Sequence, residues 1–479
     1  MASVLITGGT VTTASEQYVA DVFLDDGVIV QIGANLQVAA DTVVQAEGQY
    51  VIPGGIDVHT HLGETVFRTI TADSWESGTV AAAFGGTTTV VDFARQEREG
   101  MSPIEAIEHR RRQAESQAVI DYGFHLMATN LDSQEYLEEL AALPGEGVTS
   151  FKLLMAYPGT MMVDDLTIFR AMQVAADTNA IVTLHAENGH VIQQITDQFA
   201  AAGRVQEHMH MHAHPHLVEG EATHRGIAMA EMAGSAVYIV HLSSRTALTE
   251  VEAAKARGQA VYAETCPQYL FAAYEDYENA GFEAAKYICS PPIRERANQD
   301  ELWRGIETGA LSVIATDHCT FRMQDDLAEL PPQKPMGKGD FRYIPNGVPG
   351  VENRMHLMYQ GGVVEGRYDM MRFVDLNCTM PAKLFGLYPR KGIIAIGADA
   401  DVVVWDPNAD YTIEAATHHM RVDYNLYEGM QVSGRPSTVI SRGEIIVSGE
   451  EFLGQIGRGQ YIRRSTPYVL DHPQSVTAR

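Results

Sequence analysis

Apolar and polar positions along the chain follow two textures. Over residues 1 to about 50, short runs alternate apolar with polar and are punctuated by turns, as in VLITGGTV, YVADVFLDDGVIVQIG and DTVVQAEGQYVIPG, which predicts half-buried β-strands. The same texture returns near the other end in GIIAIGADADVVVWDP, YTIEA and PSTVISRGEIIVSGEEF. Between them, continuous apolar runs alternate with stretches of helical period, the pattern of a parallel sheet buried under helices. The runs are GGIDVH, TTTVVDFA, DYGFHLMA, TSFKLLMA, AIVTLHAE, AVYIVHLSS, AVYAETCP and SVIATDH. Eight such units predict a closed TIM (β/α)8 barrel. An open doubly wound sheet is the competing arrangement, but no GxGxxG follows the first run. The expected organisation is an α/β chain with a barrel over 53–384, a smaller β-sandwich domain built from 1–52 and 385–450, and a tail over 451–479 that could serve as an arm onto a neighbouring subunit.

Composition narrows the chemistry. A chain of 479 residues with 45% hydrophobic and 20% charged residues is an ordinary globular protein larger than one mean domain. No apolar run reaches membrane-spanning length, and the N-terminus lacks the basic start and apolar block of a signal peptide. A cytoplasmic location is the expectation. Four cysteines (Cys266, Cys289, Cys319 and Cys378) form no CxxC pair, which predicts buried free thiols. A net charge of -28 repels nucleic acid and anionic membranes, leaving small-molecule chemistry.

Polar residues recur at one place in the pattern. His59 and His61 end the first run, Lys152 lies in the fourth, His185 ends the fifth, His241 ends the sixth and Asp317 ends the eighth. In a barrel these C-terminal strand ends face one cavity, and positions two apart on a strand point the same way. For any one of these residues a hydrogen-bonded core position is the plain alternative; six at strand ends are not explained by it. His125 is expected to fill a barrel layer and His190 to lie on the following helix. The histidine-rich stretch EHMHMHAHPH, residues 207–216, contains Pro215 and reads as a connecting loop rather than a metal site.

At these residues the chain resembles the dihydropyrimidinase and hydantoinase branch of the cyclic amidohydrolases. GGIDVHTH, SFKLLMAY, LHAENG, YIVHLSS, ETCPQYL, YICSPPIR, ATDHCTF, IPNGVPGVENR, FGLYPRKG and ATHHMRVDYNLYEG match that family's signature stretches in its order, over nearly the whole chain. The resemblance implies hydrolytic opening of cyclic ureides to N-carbamoyl amino acids by a centre of two divalent metals, usually zinc. It further implies a homotetramer, or a dimer. His59, His61 and Asp317 would bind one metal, His185 and His241 the other, and Lys152 would bridge both as a carbamate formed with carbon dioxide. Burial of the Lys152 ammonium among Phe151, Leu153 and Leu154 favours the neutral amine that such a reaction needs. A bridging hydroxide would attack, with Asp317 as general base and acid and Tyr157 stabilising the oxyanion. Ser290 and Asn346 match positions where that family holds the ureide through backbone groups, while turn chemistry is their plain alternative.

The pattern departs from that family after His61, where LGETVFRTITADSW replaces an apolar gate with paired glycines. Phe67 and Arg68 lie there, and Arg95 follows the second run. Either arginine is a candidate to meet a polar or anionic ring substituent; solvated surface arginines are the plain alternative. Allantoinase or dihydroorotase chemistry is the nearest rival activity, and a non-catalytic scaffold of the same fold is the rival from another class. The presence of all six ligand residues opposes the scaffold.

Overall fold

The computed structural model describes residues 3–66 and 68–471. Strands β1 (Gly55–Thr60), β2 (Thr87–Arg95), β3 (Asp121–Met127), β4 (Ser150–Leu154), β5 (Ile181–His185), β6 (Val237–Ile239), β7 (Val261–Thr265) and β8 (Val313–Ile314) pair in chain order as one parallel sheet. The ring closes where Thr60 bridges His318 and the His61 N–H donates to the His318 carbonyl at 2.9 Å. This is the predicted barrel.

Each strand is buried on both faces, so its apolar residues divide between two cores. On β5, Val182 and Leu184 face outward into the helical shell, while Ile181 joins Ile56, Val58, Val91 and Val313 in the barrel's interior. The helix Asp165–Thr178 shows how the shell is built. Its buried Ile168, Ala171, Met172 and Ala175 recur at three- and four-residue spacing. Asp164 caps its first turn by accepting the Thr167 N–H, and Asn179 ends it in a left-handed conformation. Full burial of a side chain such as Ile168 contributes about 2 kcal/mol.

Both chain ends build one nine-stranded sheet. Tyr50–Pro53 pairs in parallel with Val4–Thr12 and antiparallel with Val402–Thr412, which joins the N-terminal part to the C-terminal part. The sheet has its own core of Ile6, Val22, Leu24, Val51, Val402 and Ile440. It meets the barrel floor through buried charges: Lys391 Nζ lies 2.8 Å from Asp121, 2.5 Å from Asp401 and 3.1 Å from Asp399. Arg442 Nε adds a contact of 2.9 Å to Asp121. No described helix is long and apolar enough to cross a membrane.

The C-terminal tail and the histidine-rich stretch add detail to the sequence pattern. Part of the tail offered as an arm for a neighbour lies along the chain's own barrel: the Tyr122 N–H donates to Gln460 O, the Ile462 N–H to Tyr122 O, and the Arg464 guanidinium to Phe124 O and Ser150 Oγ. Residues 472–479 lie outside the described residues. The histidine-rich stretch, read as a connecting loop, instead holds regular structure: Met209–Ala213 is helical and a second helix runs His216–Ala233. The apolar residues decide this, because Met209 and Ala213 stand four apart and pack together with Ile288, Phe341 and Ile344.

Candidate active site

The C-terminal ends of the strands gather the polar residues. On β1, the buried Asp57 accepts the His59 N–H at 3.2 Å and the Thr316 hydroxyl at 2.7 Å, so it ties the first strand to the last. Asp92 accepts the Thr60 hydroxyl and the Leu62 N–H, and is itself held by Arg110. These contacts fix the backbone on either side of His61. Tyr157, His241 and Asp317 sit at φ of 66°, 37° and 51°, left-handed conformations that non-glycine residues adopt at a cost of roughly 1–3 kcal/mol each. Three such residues meet at one cavity, a sign that the fold spends stability to aim them.

The cavity holds about 80 Å3, and His59, His61, Lys152, His185, His241 and Asp317 all line it. His59 Nε2 and His61 Nε2 stand 3.1 and 3.3 Å from Asp317 Oδ1. The His241 ring lies 5.4 Å from His59 and 4.6 Å from His185 between centroids. Lys152 Nζ stands over the Phe93 ring at 5.1 Å, and burial pulls its pKa down to about 8 against the opposing charges of Glu264 and Asp317. Burial also pushes the Asp317 carboxyl up, but the His59 and His61 contacts win and hold it well below the carboxylate range. His125 fills the layer below: its Nε2 donates to Val58 O at 2.9 Å, and burial keeps the ring neutral.

Three carboxylates that the sequence reading left without a role orient the histidines. His59 Nδ1 donates to Glu264 at 2.5 Å, His61 Nδ1 to Glu64 at 2.5 Å and His185 Nε2 to Glu187 at 2.8 Å. Each bond commits one ring nitrogen and leaves the other for the cavity, as outer carboxylates do around metal-ligating imidazoles. Burial opposes ionisation of the Glu64–His61 pair. Their mutual attraction overcomes it, holding Glu64 at about 2 and His61 at about 9. Glu187 also accepts from His214 Nδ1 at 2.9 Å, so the histidine-rich segment reaches the site after all. Glu264 ends β7 and was legible by the rule that found the others; Glu64 and Glu187 follow their histidines by three and two residues.

Tyr157, Ser290 and Asn346 line the same cavity. Asn346 Nδ2 donates to Ser290 Oγ at 2.9 Å, and both residues hydrogen-bond the Tyr157 hydroxyl. Burial, aided by the Glu187 charge, raises the Tyr157 pKa, which keeps it a phenol able to donate. A second cavity of about 710 Å3 shares Tyr157 and Asn346 with the first and opens beyond them; Arg68, Ile192, His214 and Phe341 are among its walls. Arg95 is turned away to Glu64 at 3.4 Å and to Thr65 O at 2.5 Å. Phe67 lies outside the described residues.

The residues suit a cation. His59, His241 and Asp317 each offer a ligand atom, all within 4.8 Å of one another. The buried His241 Nδ1 has no hydrogen-bond partner among the described residues, and a polar atom buried without a partner needs a reason. Imidazole and carboxylate donors in this mixture suit zinc and neighbouring divalent metals.

Comparison with known proteins agrees with this geometry. The pattern of the amidohydrolase family matches residues 50–446. A D-hydantoinase of Streptomyces coelicolor is 47% identical, over 97% of this chain and 99% of that protein. A D-hydantoinase of Geobacillus stearothermophilus is 45% identical over 98% of each. The crystal structure of a dihydropyrimidinase from Brevibacillus agri superposes with a TM-score of 0.94 at 44% identity, covering 97% of this chain and 99% of that one.

Proposed function

The chain belongs to the amidohydrolase family, and from that premise we propose that it opens cyclic ureides, 5-substituted hydantoins and 5,6-dihydropyrimidines, to N-carbamoyl amino acids. The observation that carries this reading is the meeting of six metal-competent side chains with Tyr157, Ser290 and Asn346 around one cavity the size of a small ring. The names of the relatives support the substrate class.

His59, His61 and Asp317 would hold one divalent cation, with zinc the expectation. His185 and His241 would hold a second, and a carbamate on Lys152 would offer an oxygen to each. When bound, the cations supply positive charge that lowers the pKa of the attacking water and polarises the ring carbonyl. The carbamate forms when the neutral Nζ of Lys152 bonds the carbon of carbon dioxide and loses a proton, converting an ammonium that would repel cations into an anion. Asp317, ionised at neutral pH, takes a proton from the attacking water as the new C–O bond forms. It returns that proton to the ring nitrogen as the C–N bond breaks. Tyr157 donates its O–H to the carbonyl oxygen as charge develops there. Ser290 and Asn346 hold the ureide in line with the attack. A tetramer belongs to the same proposal, and light scattering checks it.

Metal-loaded protein assayed side by side on hydantoin, dihydrouracil, allantoin and dihydroorotate tests the assignment. Turnover is expected on the first two; preference for allantoin or dihydroorotate would move the protein to another branch. Elemental analysis is expected to find two metals per chain, and fewer than one would revive a non-catalytic scaffold.

A further inference from the structure

Behind the ring-binding corner lies a buried lysine that the proposed chemistry does not use. Lys334 opens the short 3-10 helix Lys334–Gly337 and is fully buried. Its Nζ lies 3.2 Å from Ile288 O, 3.2 Å from Pro345 O and 3.0 Å from Gly347 O. Burial pulls its pKa down to about 7 against the opposing Cys289 and Cys319 thiols, and no carboxylate among the described residues pairs with it. An ammonium has three donors, and here three backbone carbonyls take one each. Burial opposes the ammonium while the three carbonyls favour it, so its place in the fold calls for a reason.

The carbonyls it gathers supply one. Ile288 precedes Ser290 by two residues, and Pro345 and Gly347 flank Asn346 on both sides. Ile288 O also accepts the Gly347 N–H at 2.9 Å, which ties the two segments directly. Next to Lys334, Gln333 donates to Ile70 O at 2.6 Å and accepts the Arg322 N–H at 2.6 Å, so the lysine is anchored to the loop after β1. Three carbonyl oxygens converging on one point repel each other unless a hydrogen-bond donor sits between them.

We propose that Lys334 is a positioning residue: its Nζ draws three backbone carbonyls to one point and so sets the separation of Ser290 and Asn346, the pair that holds the substrate ring. The proposal rests on the reading of those two residues as ring contacts.

The test uses full-length metal-loaded enzyme and the variants Lys334→Met and Lys334→Gln, with a 5-substituted hydantoin as probe. For Lys334→Met, KM is expected to rise about tenfold or more while kcat stays within about threefold, the signature of lost binding rather than lost chemistry. Metal content is expected to be unchanged, with faster amide exchange confined to 288–290 and 345–348. Lys334→Gln, which keeps two N–H donors, is expected to fall between Met and wild type; should the Met variant not fold, Gln alone decides by the same measures. An unchanged KM in the variants overturns the proposal. So does a KM that rises only together with metal loss and faster exchange along the whole chain. Absence of turnover by wild type on any cyclic ureide would sink the functional reading instead, and the exchange measurement would still judge the positioning.

Discussion

Two lysines, each 2% exposed, stand at opposite ends of the same barrel and meet opposite fates. At the floor, Lys391 is surrounded by Asp121, Asp399 and Asp401, whose charges outweigh burial and push its pKa up. At the mouth, Lys152 has an aromatic ring beneath it and no carboxylate in ion-pair contact among the described residues, so burial wins and its pKa falls to about 8. Burial alone does not decide what an ionisable group is for. Charges that neutralise one another inside the protein, as at the floor, hold domains together. Groups left unbalanced and aimed by strained backbone, as at the mouth, are completed by something from outside.

The contrast can be broken by exchanging its consequences. Lys152→Ala is expected to lower the hydrolytic rate by about 10^4-fold or more, as when several kcal/mol of charge stabilisation leave the reacting centre. Melting of the metal-free protein should barely move. Full activity in that variant would mean that the mouth lysine is structural, like the one at the floor. Lys391→Met is expected to do the reverse, costing about 3–5 kcal/mol in denaturant titrations because three carboxylates lose their buried partner. Its kcat per folded molecule should match wild type.

Smaller effects sharpen the picture at the mouth. His214→Ala removes one of the two histidines on Glu187 and is expected to weaken metal affinity by about 10- to 100-fold, read by competition with a chelating dye. Unchanged affinity would confine His214 to packing. The smallest effect is one of pH. In chelated protein the Glu64–His61 pair contributes fully between 4.5 and 6.5, the ordinary values of the two groups. Glu64 is depressed, so its share is lost as pH falls toward about 2; His61 is raised, so its share is lost as pH rises through about 9. A decline in Tm of about a few degrees on the alkaline side is expected, and saturating metal should suppress it by displacing the His61 proton. A flat alkaline profile without metal would remove the pair from the account.

Legibility followed distance in sequence. All eight barrel strands were marked by continuous apolar runs, and the six candidate ligands by their place at the ends of those runs, because both signals lie within a few residues. The stretch 207–216 misled because its run of histidines and Pro215 read as a connecting loop, while Met209 and Ala213, four apart, imposed a helix. Where that helix ends, the His210 and His214 rings meet with centroids 4.4 Å apart.

By itself the sequence determined the alternation of strand and helix, the sheet shared by both ends, and which polar side chains stand where a barrel opens. These follow from local period and from the direction successive residues face. Only the tertiary structure decided which groups answer one another: Glu264 to His59 across 205 residues, Glu187 to His214 across 27, and Lys334 to carbonyls of two separate segments. Such pairings depend on how loops return to a common point, and the strength of each depends on water being excluded there, a property that no stretch of chain has until the whole has packed.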